Sequence, residues 1–439
     1  MSTEPNAKAM LPILVFVFLY LGLGIIIEYV MGYEMGFYQV PVIGVFLIAL
    51  LVACLQNRNL DFNQKVGIMA KGVGNPNIIM MILIFLCAGA FVGIVGRSSA
   101  ESVAYFFLSV FPPEFAIVVL FLVSALVSLA MGTSVGTISL ITPISIFVAD
   151  ATGFGIPLAV GAVIGGAMFG DNLSFISDTT IAACQGQGCR MKDKFLENIW
   201  FAIPAAIITM AILTMVSVPN YAGGTIDHGF DLLLIVPYLL VFFSSVMGVN
   251  VFLALMLGMV SGILIMLFTG ECTFVELLGN IATGMSNMFE TSMVAILVAC
   301  IVALVIEYGG FEAVLQWIKR RFNGVRGGMC GIALLVGVMD ISTANNTVAI
   351  VMANPLAKDI SESYGISPRK TASILDTVSC VFQGLIPYGA QILVAMSAIS
   401  AEGYHYSSFD IIPNILYPMI LLVCLIASMM LSSRFRRDA

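Results

Sequence analysis

Gly170-Asp171-Asn172-Leu173-Ser174-Phe175-Ile176-Ser177-Asp178-Thr179-Thr180 follows a long apolar run that starts near residue 156. It sets two carboxylates and five hydroxyl or amide side chains in an otherwise apolar neighbourhood. An acid at the centre of a bilayer helix costs on the order of 2.5–3.5 kcal/mol, and such residues are functional by default. A continuous helix would put Asp171 and Asp178 on one face, and an unwound segment would bring them closer. Backbone at membrane depth leaves the helix only where protein or water satisfies its polar groups. The stretch therefore predicts a broken membrane helix over 156–183 with chemistry at the break.

The composition agrees. Of 439 residues 60% are hydrophobic and 10% charged, against roughly 25% charged in an ordinary soluble domain. Apolar runs of spanning length recur from Leu11 to Leu431, which makes an all-α polytopic membrane protein. Soluble, fibrous and disordered classes are excluded, and basic residues too few to form a stripe exclude a nucleic-acid partner. Leu11–Met31 reads as a retained helix rather than a signal peptide. Nine scattered cysteines without C-x-x-C read as reduced thiols. No phosphate-binding G-x4-G-K-[ST] is present, so an ATP-driven pump is not expected.

The chain repeats itself. Phe62, Gly67, Gly72 and Asn75 recur 212 residues later as Phe274, Gly279, Gly284 and Asn287. The same offset carries Pro143 onto Pro355, and an offset of 205 carries Asp171-x-x-Ser174 onto Asp376-x-x-Ser379. Basic residues mark the cytoplasmic side. Lys65 and Lys71 lie in the first F-x4-G-x4-G segment, whereas its counterpart has no Lys or Arg. Matching segments on opposite sides mean inverted repeats. The first repeat is 1–218, with a re-entrant hairpin over 114–150 and the broken helix. An external linker covers 219–231. The second repeat is 232–439, with a hairpin over 329–356 and a broken helix over 370–400. About ten crossings, two hairpins and two broken helices result, with both termini cytoplasmic in the cell (inner) membrane. Crossings fall at 11–31, 40–55, 77–95 and 199–218, then at 232–247, 251–268, 290–307 and 411–432, besides the two broken ones. A basic cluster at Arg190, Lys192 and Lys194 is assigned to a cytoplasmic loop, and Arg97 alone does not fit the topology.

Broken helices meeting between inverted repeats are how many secondary transporters build their sites. Asp171, Asn172, Ser174, Ser177, Asp178 and Thr179 are hard oxygen donors suited to Na⁺ or H⁺. Asp376 and Ser379 are their expected second-half counterparts, with Gln383 seven after Asp376 where the first copy has Asp178. The hairpin tips supply Thr133, Ser134 and Thr137, and Asn345, Asn346 and Thr347. With Gln383 and Tyr388 they are expected to close the site or hold a solute. Asp340 and Asp150 flank the tips and are read either as proton relays, Asp340 first, or as acids that simply face water. Glu28, Glu290 and Glu307 read as solvated edge carboxylates, and His228 and His405 as external. Gly132-Thr-Ser134-Val-Gly136 fits the hydrolase G-x-S-x-G, but no histidine lies at membrane depth, so an enzyme is not expected.

The G-D-x-x-S-x-x-S-D-T-T pattern of 170–180 resembles the NhaC family of sodium–proton antiporters. Ile386-Pro387-Tyr388 looks like that family's second-half I-P-aromatic element. Ser342–Thr347 is similar to the tips of the broader ion transporter superfamily. The resemblance implies Na⁺/H⁺ antiport by alternating access, with Asp171, Ser174, Ser177, Asp178 and Thr179 as ion-site candidates. Phe175 stands where the family usually has proline, and Tyr388-Gly389-Ala390 where it often has Trp and a polar residue. The alternative on the same scaffold is Na⁺-coupled transport of an amino acid or small carboxylate, as in malate/lactate exchange. No cofactor is called for, and the only metal is Na⁺ as cargo or coupling ion. The partners are the lipid bilayer, Na⁺, H⁺ and a small acid, and the reading leaves room for a homodimer.

Overall fold

The computed structural model describes residues 4–32, 40–57, 59–174, 177–221, 229–247 and 249–431, and among them every regular element is helical. The expected external His228, most of the 219–231 linker, Phe175 and the side chain of Glu28 lie outside the described residues. The first half runs α1 (Leu11–Ile25), α2 (Val42–Leu55), α3 (Phe62–Val73), α4 (Pro76–Val110), α5 (Ala116–Met131), α6 (Ser134–Thr152), α7 (Ile156–Leu173), α8 (Asp178–Gln187) and α9 (Met191–Asn220). The second runs α10 (Leu232–Val246), α11 (Val251–Thr269), α12 (Phe274–Asn287), α13 (Phe289–Glu307), α14 (Gly310–Arg321), α15 (Gly324–Thr343), α16 (Asn346–Tyr364), α17 (Pro368–Leu385), α18 (Ala390–Ala401), α19 (Ser408–Ile411) and α20 (Leu416–Leu431).

By length and composition, nine described helical runs can cross a membrane, or ten if the 53° bend between 408–414 and 416–430 lies within one span. Apolar side chains on the outside, such as Leu253, Leu257, Val260, Leu264 and Phe268 along α11, are left exposed and suit contact with lipid. The chain is therefore a multi-pass membrane protein. The expected crossing over 77–95 is longer than its apolar run. At Gly96 the backbone turns to φ 65° and ψ −176°, and the helix resumes with Arg97 and reaches Val110. Arg97 stacks on the Phe147 ring at 5.0 Å and pairs with Glu101 at 2.7 Å, so this misfit of the topology has partners of its own.

The 212-residue spacing extends to backbone geometry. Both α3 and α12 open on a capping box, at Asp61 and at Thr273. The break between α5 and α6 puts Gly132 in the left-handed region and Thr133 in extended conformation; Ala344 and Asn345 repeat this between α15 and α16. Left-handed Gly153 and Gly365 end α6 and α16. Helices α7 and α17 are 18 residues each, and α8 and α18 start at Asp178 and Ala390. The 205 offset is thereby corrected: Asp171, two residues before the end of α7, matches Gln383 at the same place in α17, not Asp376. One heptad of slip keeps an acid over an acid in sequence, but the helix ends show which residues are equivalent.

The almost wholly buried α7 and α17 form the centre, touching where Cys380 Sγ donates to the Met168 carbonyl at 3.3 Å. Glycines let α7 lie on α5. A Cβ on Gly166 would stand 2.1 Å from the Phe121 carbonyl oxygen, and one on Gly170 would stand 2.3 Å from that of Ala125. Small residues are the usual means of close approach between membrane helices. Here they hold the segment that carries Asp171 at a fixed depth beside the first hairpin.

Candidate functional site

Asp171 is buried at the α7–α8 break, and three helix N-termini converge on it. Ser134, the first residue of α6, donates its hydroxyl to Oδ2 at 2.7 Å. Ser177, the N-cap of α8, donates to Oδ1. Asn346, the first residue of α16, brings Nδ2 to 3.4 Å from Oδ2. Thr179 Oγ1 backs Ser177 at 2.7 Å, and Gln391 Nε2 backs Ser134 at 3.2 Å. Positive helix ends and three donors stabilise an ionised, acceptor-only carboxylate. Hydroxyl rotors leave Ser134, Ser177 and Thr179 able to present lone pairs to a cation instead. Ser134 of the G-x-S-x-G stretch is thus partnered by an acid and an amide, with no histidine beside it among the described residues.

Asp178 does not share this pocket. It is exposed and lines a cavity of about 490 Å³ together with Gly132, Thr133, Asn345, Asn346 and Thr347. Both hairpin tips thus border one chamber, with Asp178 in the chamber and Asp171 behind its wall. Thr137 donates to the Thr133 carbonyl at 2.9 Å and Asn345 Oδ1 accepts from Val348 N at 2.9 Å, so both shape the tips. Ser174 donates to the Leu129 carbonyl at 2.9 Å, fastening the break to α5. Tyr388 is buried, donating to the Ile341 carbonyl at 2.9 Å, with its ring edge-on to Phe16 at 4.6 Å. Its place is in an aromatic cluster with α1 and α2, apart from the chamber.

The second-half acids stand in two other places. Asp376 Oδ2 lies 2.6 Å from Lys194 Nζ, with both side chains out of reach of solvent. Lys194 also donates to the Asn172 carbonyl at 2.6 Å and to Thr180 Oγ1 at 2.8 Å, tying together the two sides of the α7–α8 break. Asn172 Nδ2 donates to Asp376 Oδ2 at 2.9 Å, and Asn198 and Ser373 complete the cluster. Asn172 therefore faces Asp376 and not Asp171. The assignment of Lys194 to a loop cluster is corrected: α9 starts at Met191 and turns Lys194 and Asn198, four apart, into the core. That four-residue polar spacing is the signal by which sequence could have found it. Asp340 is buried on α15 and accepts from Ser379 Oγ at 2.9 Å and Gln383 Nε2 at 3.2 Å. Asp150 accepts from Tyr404 at 2.6 Å at the far end of α6, while Glu290 and Glu307 are exposed. Among the described residues no cluster of three His, Cys, Asp or Glu could hold a metal ion.

The chain is similar to known transporters. The chain is 20% identical to the Na⁺/H⁺ antiporter NhaC of Alkalihalophilus pseudofirmus, over 83% of this chain and 85% of that protein. It is 27% identical to the malate-2H⁺/Na⁺-lactate antiporter of Bacillus subtilis, over 47% of this chain and 44% of that protein. A solved structure, the YdaH transporter of Alcanivorax borkumensis, is similar with a TM-score of 0.44 and 15% identity, covering 97% of this chain and 98% of that one. The model of the Na⁺/H⁺ antiporter family matches residues 6–218 and 194–431. The chain belongs to the Na⁺/H⁺ antiporter family.

Proposed function

We propose that the chain exchanges Na⁺ for H⁺ in the cell membrane, with Asp171 binding the two in competition. The observation that carries this reading is a buried carboxylate with no basic partner among the described residues, held by three hydroxyl or amide side chains beside a polar chamber. A cation replaces the donated protons' role, and the hydroxyls of Ser134, Ser177 and Thr179 turn their oxygens to it. Asp178 draws the cation into the chamber, and Asp376 takes no part as a ligand because Lys194 already neutralises it.

The chamber starts at Pro76, next to the α3 segment with Lys65 and Lys71, which the distribution of Lys and Arg assigns to the cytoplasm. A separate cavity of about 430 Å³, lined by Tyr20, Glu290, Ser397 and Ser408, belongs to the opposite side in the inverted arrangement. Alternating access would open one and then the other. Both termini are cytoplasmic in this topology.

The chamber volume supports a second reading, since sites for small molecules run from about 300 to 1,000 Å³. An amino acid or small carboxylate would sit between Thr133 and Thr347, its anionic group toward the helix ends of the tips. Purified protein in liposomes, with internal pH followed during a Na⁺ pulse, tests the first reading; Na⁺-independent proton movement under every gradient would refute it. Thr133→Ala with Thr347→Ala separates the second: cation exchange persists in both cases, and only solute uptake would be lost.

A further inference from the structure

Asp340 lies on α15, four residues before the Ala344 break, and its side chain is wholly buried. The position 212 residues earlier is Ser128, whose hydroxyl donates to the Ala167 carbonyl at 2.6 Å. A hydroxyl thus suffices at the matching place to fasten a hairpin to its broken helix, and the carboxylate at Asp340 is not a requirement of the fold. Its Oδ1 takes both hydrogen bonds, from Ser379 and Gln383, whereas its Oδ2 is buried with no partner among the described residues.

The charges around it leave it uncompensated. From α17 come Asp376, whose charge Lys194 of α9 meets at 2.6 Å, and the Cys380 thiol. Asp171 of α7 is linked to it through Ser379 and then Asn346 of α16. Among the described residues no Lys or Arg stands within ion-pair distance of Asp340. A buried carboxylate in that position neutralises itself by taking up a proton.

Ser379 gives that proton a consequence. Its single hydroxyl hydrogen lies between two acceptors, Asp340 Oδ1 at 2.9 Å and the Asn346 carbonyl at 3.4 Å. With Asp340 ionised, the hydrogen goes to the carboxylate. With Asp340 protonated, the acid donates to Ser379 Oγ, and Ser379 turns its hydrogen to Asn346. Asn346 is the tip residue whose amide reaches Asp171. The state of one acid is therefore passed to the tip that covers the other.

We infer that Asp340 is a second proton-carrying carboxylate, loaded and unloaded in the same cycle as Asp171, so that two protons move against one cation. This rests on the reading of Asp171 as the cation site. The test is the full-length protein in liposomes with the membrane potential clamped at zero by K⁺ and valinomycin. The sodium gradient that halts proton flux is expected to equal the square of the proton gradient for the wild type, and to equal the proton gradient itself for Asp340→Asn. A wild type halted at equal gradients overturns the inference while leaving Na⁺/H⁺ exchange intact. An Asp340→Asn protein halted at the square also overturns it, by placing the second proton elsewhere. Absence of any sodium-dependent proton flux overturns both readings. If Asp340→Asn does not transport, protons released per sodium bound in detergent decide: one fewer than wild type supports the assignment, and an unchanged number rejects it.

Discussion

Lys194 and Asp376 form an ion pair at 2.6 Å in the centre of the molecule, joining α9 to α17 across the α7–α8 break. The pair sets Asp376 apart from the other buried acids: a tethered ammonium meets its charge, and the proposed cycle exchanges ions at Asp171 and Asp340.

Removing one member of this pair strands the other. Lys194→Met is expected to destabilise the fold by about 3–5 kcal/mol. Lys194→Met with Asp376→Leu should recover much of that loss, because two apolar side chains need no counter-charge. Thermal unfolding of the detergent-purified variants measures this; a single variant as stable as the wild type would contradict the pairing.

Asp171→Asn should fold normally and lose sodium-dependent proton flux, whereas Asp178→Asn should retain it. Asp178 faces the chamber, and in the proposed function it acts on a cation through the field it adds. The expected effect of Asp178→Asn is a half-saturating sodium concentration raised about threefold, most clearly at low ionic strength. Equal loss in both variants would place the two acids in one shell after all.

The proposed competition at Asp171 fixes the sign of the expected pH dependence. Only the ionised carboxylate binds sodium, so protons weaken apparent sodium affinity as pH falls. Below the titration of both Asp171 and Asp340 the half-saturating sodium concentration should rise about a hundredfold per pH unit in the wild type and about tenfold in Asp340→Asn, and level off above it. A sodium affinity independent of pH across that range would exclude a shared site.

Ala344 holds φ 48°, the left-handed conformation that glycine occupies at the matching Gly132. A side chain there costs roughly 1–2 kcal/mol, part of which glycine gives back as backbone entropy. Ala344→Gly is therefore expected to raise stability by about 0.5–1 kcal/mol. A fall in melting temperature would show that the Cβ of Ala344 contributes packing the tip needs.

Gly166→Leu should prevent close packing of α7 on α5. A Cβ there would already stand 2.1 Å from a backbone oxygen, which no side-chain rotation relieves. Loss of folded protein in detergent is expected, and a folded, active Gly166→Leu would mean the two helices can separate without cost to the site.

Much of this architecture is legible along the chain. Hydropathy alone puts the protein in the membrane, since a chain with so few charges cannot leave its apolar runs in water. The spacing of Phe62-Gly67-Gly72-Asn75 against its copy marks equivalent places, and the backbone breaks at 132 and 344 obey it. The acids of 170–180 announce a broken helix because nothing else excuses two carboxylates in an apolar run. What the chain could not reveal is which polar groups meet. Lys194 sits three residues from a loop in sequence, yet the pitch of α9 turns it inward. Asp171 and Asp178 are seven apart, yet the break sends one behind the tips and the other into the chamber. Partnership across helices depends on how α7, α9, α15 and α17 cross, and each contact joins residues tens to hundreds of positions apart. Sequence by itself determined the medium, the repeat spacing and the presence of costly charge at depth. Tertiary structure decided which of those charges meet a counter-charge and which meet only neutral donors among the described residues, because in a low-dielectric interior neutralisation needs direct contact.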